Sequence, residues 1–234
     1  MDDFKVFRWT GAFGLACGVL FLCELPLWII PGAGPLISDA VNYSQHMADI
    51  RVIVLTRVLI DIGMYVCFTV FIAGFRHLVR QTKPEYEWVA TLVFGAGLVW
   101  WAATLVADSL EGAAALDTLG GMADPTAIRA LVEGTLLIYN GSIAFAVTAL
   151  FMVSAGYAIL ATGALPKWIG WVAHASAILC LAAIPSMYGP VVDSSGFYNP
   201  AGWGPSIAAN LLPLIWIFSA GISMIVKGKA VAQK

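Results

Sequence analysis

Charged side chains are scarce in this chain. Asp, Glu, Lys and Arg make up 11% of its 234 residues and hydrophobic side chains 60%, whereas soluble proteins carry about 25% charged residues. The formal net charge of −2 provides no basic surface of the kind that binds nucleic acid. The composition therefore excludes an ordinary soluble domain, argues against a nucleic-acid partner, and predicts one transmembrane domain over residues 1–234.

The chain also lacks the short motifs that mark common enzymes. HExxH, GxSxG, a glycine-rich phosphate loop and CxxCH are all absent. Cys17, Cys23, Cys67 and Cys180 lie in apolar stretches without CxxC or Cys/His ligand spacing, so we interpret them as small buried hydrophobic side chains. A haem between helices would need two deep histidines, and only His174 lies deep in a span. We predict no metal site and no cofactor.

Long apolar runs are present instead. Six of them reach about 20 residues, the length that an α-helix needs to cross a bilayer. The sequence thus predicts an all-α integral membrane bundle of about six transmembrane helices. The spans lie near 9–30, 52–75, 88–108, 131–161, 168–187 and 206–226. The fourth run exceeds the thickness of a bilayer, so we expect it either to project from the membrane or to bend near Gly134 or Gly141.

Basic residues are distributed unevenly between the two predicted sides. The loops opposite the termini hold only Arg51 and Arg129, and the segments on the side of both termini hold nine Lys and Arg residues. The nine are Lys5, Arg8, Arg76, Arg80, Lys83, Lys167, Lys227, Lys229 and Lys234. Because cytoplasmic loops are enriched in Lys and Arg, we predict cytoplasmic N- and C-termini. We expect a multi-pass protein of the bacterial inner or plasma membrane, in contact with membrane lipid.

Local patterns predict where helices begin outside and between the spans. Residues 31–51 hold the turn PGAGP and then a short helix of their own, capped by Ser38 or Asp39. Asp124 before Pro125 is typical of an N-cap followed by proline at the first helical position.

Two further patterns concern helix packing and capping. Gly14 and Gly18 form a GxxxG step in the first span, which predicts close packing against another helix. Thr82-Lys83-Pro84-Glu85 has the spacing of a capping box and predicts the start of the third span there.

Arg57 and Asp61 are the only formal charges between Val52 and Phe75. A charge at the centre of a bilayer costs about 2.5–3.5 kcal/mol on insertion scales, so the pair indicates a polar interior. Arg57, Asp61 and Tyr65 recur at helical spacing and share one face. Glu24 lies at a similar depth, about 9 Å from the outer end of the first span, and we expect it to face Arg57.

Polar residues in other spans fall at the same depth, towards the predicted outer side. We expect them to form a pocket with Arg57, and if the protein is an enzyme, Asp61 and Glu24 are the candidate catalytic acids. The candidate ligand-binding residues are Arg57, Tyr65, Trp101, Thr104, Asp108, Glu133, Tyr139, Asn140 and Asn210.

Two interpretations of the charged cluster remain open. In the structural one, Asp61 and Glu24 neutralise Arg57 and fix the register of the first two helices. In the functional one, Arg57 holds an anionic or carbonyl oxygen of a ligand, and Asp61 or Glu24 transfers a proton.

Three hypotheses of function follow from these interpretations. The first is binding of a small hydrophobic or amphipathic molecule, beneath the aromatic-rich loop 186–205. The second is an intramembrane enzyme in which Asp61 or Glu24 acts as general acid, for example an isomerase or cyclase of an isoprenoid-like substrate. Aromatic side chains such as Trp101 and Tyr139 would then shield a cation. The third is a homo-oligomer or an accessory subunit of a membrane complex.

One hairpin carries a resemblance to a known family. The stretch FAVTALFMVSAGYAILATGALPKWIGWVAHASAIL, from Phe145 to Leu179, has a helix that ends in a Leu-Pro-Lys-Trp turn and a second helix after it. With the six-span layout, it resembles the bacterial membrane proteins of the DUF4386 family. The resemblance implies the topology of an all-α six-span protein, and it implies no activity, cofactor or site residue.

Overall fold

The computed structural model describes residues 3–32, 34–120, 124–139, 142–188, 204 and 211–232. Every regular element in this part of the chain is helical. The α-helices are α1 (Asp3–Ile29), α2 (Ala40–Thr82), α3 (Glu87–Asp117), α4 (Pro125–Tyr139), α5 (Ser142–Thr162), α6 (Lys167–Ala183) and α7 (Leu212–Ala232). Short 3-10 helices cover Pro84–Tyr86, Thr118–Gly120 and Ile184–Tyr188.

The helices are apolar enough to cross a membrane repeatedly. Five stretches reach spanning length: Lys5–Ile29, Ala40–Thr82, Pro84–Asp117, Pro125–Thr162 and Lys167–Tyr188. A further apolar helix, Leu212–Lys227, is shorter, and the predicted start of that span at residue 206 lies outside the described residues. The prediction of an all-α, multi-pass membrane bundle is confirmed. Which end faces the cytoplasm stays a prediction.

Large apolar side chains on the outside of the bundle agree with lipid contact. Leu59, Val66, Val99, Trp171 and Ile178 are all exposed although they lie within spanning stretches. In water such a surface would be unfavourable, whereas in a bilayer it contacts lipid tails.

Helix α2 is much longer than the predicted second span. At about 1.5 Å per residue its 43 residues extend over roughly 65 Å. The prediction of a separate short helix within residues 31–51 is wrong, because residues 40–51 continue into the second span without a break. Its predicted cap is confirmed, since Asp39 Oδ1 accepts a hydrogen bond from the Asn42 amide at 3.2 Å. No residue between 40 and 51 is a proline or glycine that would end the helix.

The third and fourth predicted spans also differ from the structure. Helix α3 continues nine residues past the predicted end at 108, to Asp117. The fourth run starts earlier, at Pro125, and contains α4 and α5 on either side of residues 140 and 141, which lie outside the described residues, so the predicted bend near Gly141 stays a prediction. Helix α4 begins as predicted at Pro125, where Asp124 Oδ1 accepts from the Thr126 amide at 2.8 Å.

The predicted capping box at Thr82 is wrong. The Thr82 hydroxyl donates to the Leu78 carbonyl at 2.8 Å, and a 3-10 turn begins at Pro84 without a side-chain cap. Proline disfavours helical geometry at Lys83 before it, so α2 ends there.

Buried apolar residues in the described part of the chain form three clusters, and the two larger ones lie one above the other. The main core is aromatic, and Phe71, Phe75 and Phe151 pack around the buried ring of Trp216 at centroid distances of 5.5–5.8 Å. A second cluster lies at the end of the bundle where α1 finishes and α2 begins, which we call the α1–α2 end. It combines Ile37 with residues of α2, α3 and α4, namely Met47, Val54, Ala114, Ala115, Ile128 and Val132.

Helices α1 and α7 approach closely along glycines. A Cβ atom on Gly11 would lie 2.6 Å from the Gly221 carbonyl oxygen, and one on Gly14 would lie 3.1 Å from the Gly221 Cα. One on Gly18 would collide with the Phe218 ring. The predicted GxxxG packing face is therefore confirmed, with α7 as the partner helix.

We expect Gly11→Ala to destabilise the protein by about 1–3 kcal/mol, because the added methyl group collides with backbone of α7. Gly95→Ala is the matched control, since a Cβ there has no neighbour within 4 Å and alanine favours helix. Steric trapping in lipid bicelles measures the free energy of unfolding. Equal stability of the two variants would contradict the close approach.

Candidate functional site

The polar face of α2 points into the bundle. Arg57, Asp61, Met64 and Phe68 are all buried, as their helical spacing predicts. Tyr65 is half-buried beside this face, and its ring lies 6.5 Å from that of Trp101. The predicted interior orientation of Arg57 and Asp61 is therefore confirmed.

The Arg57 guanidinium is held by groups from two other helices. Its Nη1 and Nη2 atoms donate to the two carboxylate oxygens of Glu111 on α3, at 3.3 and 3.1 Å. Its Nε atom lies 3.6 Å from Glu24 Oε1 on α1. The guanidinium carbon lies 3.2 Å from the ring centroid of Trp28, and the Trp28 indole donates to Glu24 at 2.8 Å. The site thus combines a two-pronged ion pair with a cation–π contact.

Glu24 and Asp61 are both predicted partners of Arg57. Glu24 lies beside Arg57 in the structure, and Asp61 does not pair with it. Among the described residues, Asp61 makes no ion pair with Arg57, so that prediction is wrong. Side chains on a helix tilt towards its N-terminus. The long Arg57 side chain therefore extends away from Asp61, which is one turn further along, and reaches Glu111 instead.

Asp61 lies near a second carboxyl group, that of Asp108 on α3. The Tyr139 hydroxyl on α4 donates to Asp108 Oδ1. Asp108 is 2% exposed, and its Oδ2 atom has no hydrogen-bond donor among the described residues.

A cavity of about 650 Å³ opens beside these groups. Its walls come from the last turns of α1, residues 34–37, both long helices, α4 and the start of α7. Apolar side chains such as Met47, Met64 and Leu214 form much of the surface. The charged groups lie on one side of it, so the cavity has an apolar body and a polar wall.

The predicted site residues separate into three groups. Those that line the cavity are Glu24, Arg57, Asp61, Trp101, Thr104 and Tyr139. Tyr65 and Asp108 lie behind its wall, and Glu133 instead pairs with Arg129 on the same helix at 2.7 Å. Asn140 and Asn210 lie outside the described residues, as does most of the loop 186–205.

Glu111 is the main residue that the sequence prediction missed. The predicted third span ends at residue 108, which places Glu111 in the loop that follows. A signal was available, because Trp101, Thr104, Asp108 and Glu111 follow one another at the three- and four-residue spacing of one helix face. Trp28 also lines the cavity without having been predicted as a site residue.

We expect Arg57→Gln to destabilise the protein by about 3–5 kcal/mol, because it leaves the buried carboxylate of Glu24 and the partly buried one of Glu111 without a cation. Arg129→Gln is the matched control, since its pair with Glu133 is about one-third exposed and contributes under about 1 kcal/mol. The free energy of unfolding of each variant is measured in lipid bicelles.

Replacing Glu24 and Glu111 with glutamine in the Arg57→Gln background should restore part of the lost stability. If Arg57→Gln and Arg129→Gln lower the free energy of unfolding by the same amount, the buried cluster contributes no more to stability than the exposed pair does.

In three comparisons, no family model, no curated protein and no solved structure matches the chain. The structure contains the hairpin from Phe145 to Leu179, formed by α5 and α6 with a turn at residues 163–166. The resemblance to the DUF4386 family stays a prediction.

Proposed function

We propose that this membrane protein binds a small amphipathic molecule in the cavity at the α1–α2 end. The observation that supports this proposal is the cavity itself, about 650 Å³ in volume, with apolar walls and charged groups on one side. Ligand sites commonly have volumes of about 300–1,000 Å³, mostly apolar walls and a few convergent polar groups. An amphipathic molecule would bury its apolar part against Met47, Met64 and Leu214 and place its polar end near Asp61.

In this proposal, the charged cluster of Arg57, Glu24 and Glu111 forms a rigid part of the cavity wall. Arg57 draws α1 and α3 towards α2 through Glu24 and Glu111, and those three helices carry most of the lining. The structural and functional interpretations of the cluster are therefore compatible, because the ion pairs hold the shape that a ligand would occupy.

An intramembrane acid–base enzyme is the second candidate. One observation favours it: the Asp61 carboxyl group lines the cavity together with the indole rings of Trp100 and Trp101. A carboxylic acid there can protonate a substrate, and aromatic faces stabilise a cation. Product formation from an isoprenoid-like substrate that persists in Asp61→Asn would exclude Asp61 as the acid. Assembly into a homo-oligomer or a membrane complex, and a location in the bacterial inner membrane, stay predictions.

A neutral phenyl-diazirine photolabel tests whether the cavity admits a hydrophobic molecule. In lipid nanodiscs, we expect saturable labelling of the cavity residues Met64 and Trp101, measured by peptide mass spectrometry. Thr104→Trp should abolish the saturable part, because the larger side chain fills the cavity that Thr104 lines.

Thr91→Trp provides the matched control, since Thr91 is exposed on the same helix and away from the cavity. Its labelling should match that of the unmodified protein. Saturable labelling that is absent, or that survives Thr104→Trp, would contradict the proposal.

A further inference from the structure

The cavity wall carries more negative than positive groups. Three carboxyl groups line the cavity, those of Glu24, Asp61 and Glu111, together with one guanidinium, that of Arg57. No further Lys or Arg lines the cavity among the described residues, although His46 does. Among the described residues, the wall therefore holds more acidic than basic side chains.

Two carboxylates already lie beside the positive charge of Arg57. Both of its terminal nitrogens donate to Glu111, its Nε atom lies 3.6 Å from Glu24 without a hydrogen bond, and its planar face lies on Trp28. An anion at this position would displace a carboxylate and would be repelled by the others. The sequence-based expectation that Arg57 holds an anionic oxygen is therefore not favoured by these contacts.

Asp61 has the opposite character. Its side chain is 6% exposed, lines the cavity and has no cationic partner among the described residues. A buried carboxylate without a cation is costly, and a ligand cation would remove that cost. Trp100 and Trp101 line the same cavity, and aromatic faces attract organic cations.

A metal ion fits this wall poorly. In the described part of the chain, no three His, Cys, Asp or Glu side chains are arranged to hold one. The cavity is also far larger than one ion requires, and most of its surface is apolar. The cation that these features match is organic and largely hydrophobic.

We infer that the ligand is an amphipathic organic cation whose positive end pairs with Asp61 and whose apolar body fills the cavity. This inference rests on the proposed function and adds the sign of the ligand charge.

Tetraphenylphosphonium and tetraphenylborate test the inference, because they have nearly the same size and shape and opposite charge. Their dissociation constants are measured by equilibrium binding to the protein in nanodiscs, with empty nanodiscs subtracted. We expect tetraphenylphosphonium to bind and tetraphenylborate to bind at least about tenfold more weakly. The reason is that a carboxylate in the cavity wall attracts a cation and repels an anion.

Three variants locate the binding. Asp61→Asn should weaken tetraphenylphosphonium binding by about tenfold or more, since it removes the charge and preserves the shape. Asp61→Glu should retain binding, which separates loss of charge from misfolding. Asp49→Asn, the same change at an exposed position of α2, should have no effect.

The remaining outcomes separate the inference from the proposed function. Equal affinity for both ions, or cation binding unaffected by Asp61→Asn, would overturn the inference. If neither ion binds while the neutral photolabel still shows its Thr104→Trp-sensitive signal, the cavity binds molecules of another charge and only the inference fails. If the photolabel signal is also absent, both fail.

Discussion

The Arg57 guanidinium connects three helices, and the arrangement of the α1–α2 end depends on how its charge is satisfied. A buried cation in a membrane protein has no water to solvate it, so carboxylates must approach it closely. Glu24 and Glu111 do so from α1 and α3, and Trp28 covers one face of the guanidinium. The relative positions of α1, α2 and α3 are thereby constrained to the few that satisfy all of these contacts together.

The length of α2 and α3 explains why a cavity lies beside this charged cluster. Helices α2 and α3 continue well past the length that crosses a bilayer and meet α4 in a second apolar cluster. The cavity lies between that cluster and the aromatic core, with Arg57 and Asp61 in its wall. Glycine contacts between α1 and α7 close the bundle on another side. The cavity is thus enclosed by packing on several sides and charged on one.

Residue spacing predicted much of this arrangement, and its failures have physical causes. Counting residues placed Glu24 level with Arg57, because a helix rises by a fixed distance per residue. The same rule suggested Asp61 as the partner of Arg57, but it ignores the direction in which a long side chain extends. Glu111 was missed because hydropathy marks where a membrane ends and not where a helix ends. Helix α3 continues to Asp117 while its apolar run is already over.

The sequence by itself determined the class of the protein: apolar runs without water-exposed charge form only helices in a bilayer, since every backbone polar group must be paired within its own segment. It also determined which face of α2 is polar, because helical spacing follows from the order of residues. Tertiary structure alone decided which carboxylates hold Arg57 and which one, Asp61, is left facing the cavity. Those outcomes depend on how separate helices are placed against one another. Hydrophobicity identifies each span, but in lipid it does not determine which helices pack beside that span.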